Sequence, residues 1–125
     1  MNISQHLDAM RGEIPGCSLV SFGDLKTGLA LRTSAKRQHK QDYLEDILQQ
    51  AALNFAACDA LSARVDPTSP QGQSVIVATP DEVRIFIRSK DSSYDVVCCV
   101  CDGAEQVARV TAYAQKIFQE VLGET

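Results

Sequence analysis

The stretch KQDYLEDILQQAALNFAACDAL, Lys40 to Leu61, decides how this chain folds. Leu44, Ile47, Leu48, Ala51, Phe55, Cys58 and Leu61 recur at three- and four-residue spacing and form one stripe wide enough to cover a sheet. From Ala52 onward a second apolar set, Ala52, Leu53, Ala56, Ala57 and Ala60, fills most of the opposite face. A helix polar on one side needs one packing surface; this pattern predicts two. Most of the second set is alanine, and such small side chains let another backbone come close. Either the helix lies wholly inside its own domain, as all-round apolar helices normally do, or its second face packs on another copy of the chain.

Working outward, Asn2 to about Gly12 reads as a helix with Ile3, Leu7 and Met10 on one side and Ile14 extending the stripe. Asn2 or Ser4 can cap it, and Gly12 and Pro15-Gly16 end it. Cys17 to Phe22 and Leu29 to Thr33 are strands of a hairpin joined by Gly23 to Gly28, and Arg32 on the second strand suggests an edge. Beyond the long helix, residues 62 to 73, with two prolines and a glycine, are expected to be a surface loop. Ser74 to Thr79, Val83 to Arg88 and Tyr94 to Cys101 are three further strands. Val96 to Cys101 is apolar at every position, the mark of a strand covered on both faces and therefore central. Asp102, with Glu105 three residues on, offers a capping box for a last helix. That helix buries Val107, Val110, Ala114, Ile117, Phe118 and Val121, and Gly123 is placed to end it. The expected class is α/β (α+β), in the order α-β-β-α-β-β-β-α, with one antiparallel sheet covered on both faces.

The 125 residues fit a single domain, 1–125, with a composition ordinary for a globular protein. A net charge of −4 argues against nucleic-acid binding, and the basic run Lys36, Arg37, His39 and Lys40 reads as a solvated loop. No segment reaches the length of a membrane span, and the N-terminus lacks the basic start and apolar run of a secretory signal. Five cysteines, an odd count, suit a reducing cytoplasm. Cys98 and Cys101 form a CxxC, but on a strand residues three apart face opposite ways, so the pair is read as buried apolar cysteine. There is no Walker loop, GxGxxG or HExxH, and His6 and His39 have no partner at ligand spacing. Asp42, Glu45 and Asp46 complement the dipole at the start of the long helix. The expectation is no enzyme, no metal and no cofactor.

The element order, Ile14-Pro15-Gly16 at the first helix–strand junction, the Asp24/Gly28 turn before Leu29, the alanine-rich helix and the late apolar strand together resemble the Roadblock (dynein light chain) family. The similarity runs from Ile3 to Val121 and is closer to bacterial members such as the gliding-motility GTPase regulators. The turn from Gly23 to Gly28 and the stretch 62–73 are longer than that family's usual form. The resemblance implies a profilin-like sheet of order 2-1-5-4-3, consistent with a central fifth strand. It implies an obligate homodimer or heterodimer, here a homodimer joined through Ala52, Leu53, Ala56, Ala57 and Ala60 and through the third strand with Val75 and Val77. It also implies a non-catalytic scaffold or regulator that binds a small Ras-like GTPase. Asp42, Glu45 and Gln49, polar and early in the long helix, are candidates for docking that partner. The alternatives are a small-molecule-sensing profilin-like module or a small enzyme whose site forms between subunits.

Overall fold

Asn2 opens the first helix with a reciprocal cap: its Oδ1 accepts from the Gln5 N–H, and Gln5 Oε1 accepts from the Asn2 N–H. The computed structural model describes residues 2–65, 74–90 and 94–123. Its elements are α1 (Ile3–Glu13), β1 (Cys17–Asp24), β2 (Leu29–Ala35), α2 (Gln41–Val65), β3 (Ser74–Ala78), β4 (Val83–Arg88), β5 (Asp95–Cys101) and α3 (Val107–Gly123). The strands form one sheet in the order β2-β1-β5-β4-β3, antiparallel at every pairing, with β5 in the middle as its unbroken apolar run requires.

Strand alternation sorts the core into two layers. Cys17, Val20 and Phe22 of β1, Ile85 and Ile87 of β4, and Val97, Cys99 and Cys101 of β5 face α1 and α3, where Leu7, Met10, Ile14, Val110, Ala114, Ile117 and Phe118 meet them. Leu19, Phe86, Val96, Cys98 and Val100 face the other way, onto Ile47, Leu48, Ala51 and Phe55 of α2. The change of phase between Cys17 and Leu19 is made by a register shift in the β1–β5 pairing. Among the described residues, one helix therefore covers one face, and two cover the other.

The turn between β1 and β2 is closed by Asp24, whose Oδ2 accepts from the backbone N–H and the hydroxyl of Thr27, and by Gly28 at φ 73°. Gly23 and Asp24, expected in that turn, belong to the strand, and β2 continues two residues past Thr33 to Ala35.

Three expectations are corrected. Residues 62–65 are helical, because α2 runs to Val65; the rest of that expected loop, 66–73, lies outside the described residues, as do 91–93 of the turn before β5. Cys58 and Leu61 are exposed rather than core, since burial along the stripe stops at Phe55 and the last turns of α2 run past the layer of core beneath them. Asp102 does not cap α3. Its N–H donates to Gly16 O at 3.2 Å and its carboxylate occupies the space a Cβ on Gly16 would need, while α3 begins only at Val107. Gly16, at φ 76°, serves both that close approach and the turn out of α1.

Candidate interaction surface

The outward face of α2 carries the two most exposed large hydrophobic side chains of the described residues. Leu53 is 72% exposed and Leu61 63%, with Ala56, Ala57 and Ala60 open around them and Ala52 half-buried. Both expected apolar faces are present, and among the described residues only the first packs on a core cluster. A row of alanines exposes little side chain for another helix to displace and loses no rotamer freedom on burial. Two leucines beside such a row supply the apolar area.

Two arginines on the α2 side of β4 hold the helix in place. Arg84 donates through Nε to Glu82 Oε2 at 2.8 Å and through Nη1 to Gln50 Oε1 at 2.8 Å and Asp46 Oδ2 at 3.3 Å. Tyr43 donates its hydroxyl to both oxygens of Glu82, and desolvation together with that carboxylate raises its pKa. Further along α2, Arg88 makes a two-pronged bond to Asp59, at 2.8 and 2.9 Å, with its guanidinium carbon 4.5 Å from the Phe55 ring centroid. The hydrogen bonds from Arg88 hold the Asp59 carboxyl below its ordinary value. Arg84, Phe86 and Arg88 thus present cation, ring, cation to one helix. Sequence reasoning saw the alternation of β4 but not these pairings, because their partners lie some thirty residues away on α2.

The candidate docking residues Asp42, Glu45 and Gln49 follow one ridge of α2 at spacings of three and four; Asp42 and Gln49 are exposed and Glu45 is half-buried. Gln49 also lines an open groove of about 340 Å³ with Ala52, Leu53 and residues Leu25 to Gly28 of the β1–β2 turn. The docking ridge and the alanine face are therefore contiguous. Val75 and Val77 are half-buried on the α2 side of β3, where they pack against the core; Ser74, Ile76 and Ala78 are exposed, Ile76 at 46%. In a third-strand joint the backbone of β3, an end strand of the sheet, would make the pairing, with the valines beneath it.

The remaining candidates are scattered. His6 Nε2 lies 3.6 Å from Glu120, between α1 and α3, and His39 packs against the Tyr43 ring. Cys98 and Cys101 point to opposite layers, as strand geometry requires. Sequence reasoning missed Cys17, which the sheet carries to Cys99 and Cys101.

Comparison with known proteins places the fold. No family model matches the sequence, and no curated protein matches it. Among solved structures, a Roadblock/LC7 domain from Streptomyces avermitilis superposes with a TM-score of 0.79 over 99% of this chain and 98% of that one, at 9% identity. MglB from Myxococcus xanthus gives 0.71 over 95% and 90%, at 14% identity. MglC from the same organism gives 0.66 over the full length of both, at 12% identity. The expected fold is present: this chain has the Roadblock/LC7 architecture.

Proposed function

We propose, from the premise of a Roadblock/LC7 fold, that this chain is a homodimeric, non-catalytic module that binds or regulates a small Ras-like GTPase in the cytoplasm. The observation that carries the proposal is the uncovered face of α2, where Leu53, Ala56, Ala57, Ala60 and Leu61 lie open in a single chain. Pairing that face with its copy removes the apolar surface from water, and its alanines permit close approach of the two helices. A further MglB structure of the same fold is described as a tetrameric arrangement, and another as a gliding protein. In the dimer, Asp42, Glu45 and Gln49 of both copies would flank the paired helices and offer an acidic and amide rim to a partner.

The test is a pull-down with the wild-type protein as bait against cell extract loaded with GDP or with a non-hydrolysable GTP analogue. The proposal expects a Ras-like GTPase recovered preferentially in one nucleotide state, and weaker recovery with Asp42→Lys/Glu45→Lys. Equal recovery in both states, or none, contradicts the regulatory reading.

A further inference from the structure

Three thiols converge on the side of the sheet away from α2. Cys17 opens β1 and Cys101 closes β5, directly opposite each other in the antiparallel register, and Cys99 lies two residues back on β5 with its side chain on the same face. The Sγ atoms of Cys17 and Cys99 are 3.2 Å apart, those of Cys99 and Cys101 3.4 Å, and all three lie within 4.8 Å of one another. Each side chain is buried, and no histidine or carboxylate among the described residues joins the group. We propose that Cys17, Cys99 and Cys101 form a binding site for one thiophilic d10 cation, with Cu(I) the best match.

Three sulfurs directed at one point form a ligand set that soft metals select. An ion at a metal–sulfur distance of about 2.3 Å from each sulfur needs them roughly 3.8–4.0 Å apart. The contacts of 3.2 and 3.4 Å are a little shorter than that spacing, and no pair of the three lies further apart than 4.8 Å. Zinc in a structural site fills four positions, whereas the described residues supply three sulfurs and no fourth side-chain ligand. A monovalent ion content with three sulfurs fits better.

Starting from three thiols, binding adds three sulfur–metal bonds, breaks three S–H bonds and releases three protons to solvent. The trio sits at the end of the sheet where β1 begins after Gly16 and β5 passes into the irregular residues Asp102 to Gln106. The site lies on the opposite face from α2 and does not depend on the dimer.

The test is a titration of reduced protein with Cu(I), without oxygen, in competition with a chromophoric Cu(I) chelator. One equivalent per chain should be withdrawn from the chelator. Cys17→Val and Cys99→Val should each lower affinity by at least about 100-fold, since loss of even an outer-shell partner costs 10- to 100-fold. Cys98→Val, on the other layer, and Cys58→Ser, on the surface, should leave it unchanged. X-ray absorption at the copper edge of the wild-type complex, which requires no variant to fold, should show three sulfur scatterers. Failure of the wild type to compete, retention of binding in the Cys17 or Cys99 variants, loss in Cys58→Ser, or an edge showing fewer than three sulfurs would each overturn the assignment.

Discussion

Arg88 and Asp59 show how a buried cation is made acceptable in this fold. The guanidinium is almost wholly enclosed, lies over the Phe55 ring and meets the Asp59 carboxylate with two bonds. Removing the carboxylate would leave the cation enclosed without its two-pronged acceptor. Asp59→Ala should therefore destabilise the chain by roughly 1.5–3 kcal/mol, the usual range for a hydrogen bond to a charged group. Because the folded-state pKa of Asp59 lies below its unfolded value of about 3.9, the unfolded chain binds the proton first. This stabilisation is complete above pH 4 to 5 and is lost as pH falls through the folded-state pKa. Urea midpoints at pH 6 and pH 3 check this. The drop on acidification should be smaller in Asp59→Asn than in the wild type, and an equal drop would assign the acid sensitivity to other groups. The thiol cluster is a residue-scale feature of another kind. It was not legible in the sequence because Cys17 stands eighty-two residues from Cys99, and only the β1–β5 register brings them together.

At the scale of elements, α2 carries the account. Its first half was readable: Ile47, Leu48, Ala51 and Phe55 recur at helical spacing and are buried on the sheet. Its end was not. Cys58 and Leu61 continue the same stripe but are exposed, because periodicity reports the phase of a helix and not where its supporting layer stops. The capping box at Asp102 failed for a related reason. Its spacing is correct for a cap, but Gly16 lies close by and uses both the Asp102 N–H and the space beside its carboxylate. The exposed half of α2 yields a prediction. Ala57 is open in the single chain, so Ala57→Glu should cost the monomer little, whereas an unpaired charge buried between two copies costs several kcal/mol. The variant should raise the dimer dissociation constant by at least about 100-fold. In the dissociated variant, amide hydrogen exchange should quicken over residues 56–65 of α2 and stay slow over 47–55, whose side chains pack on the sheet. Uniform protection along the helix in a monomer would show that the second face needs no partner.

For the whole molecule, the central place of β5 was legible because Val96 to Cys101 is apolar at every position, and the rest of the strand order came from the resemblance. Two helices fall on one side and one on the other because Leu19, Phe86 and Cys98 alternate with neighbours that face the opposite layer. Among the described residues that asymmetry leaves α2 as the one helix on its side of the sheet, with Leu53 and Leu61 exposed on its outer surface. The most direct test is the mass of the wild-type protein in solution, by light scattering coupled to size exclusion at micromolar concentration. Pairing through α2 gives twice the chain mass of 13.6 kDa, falling to the single-chain value in Ala57→Glu. A wild type at 13.6 kDa throughout would contradict it.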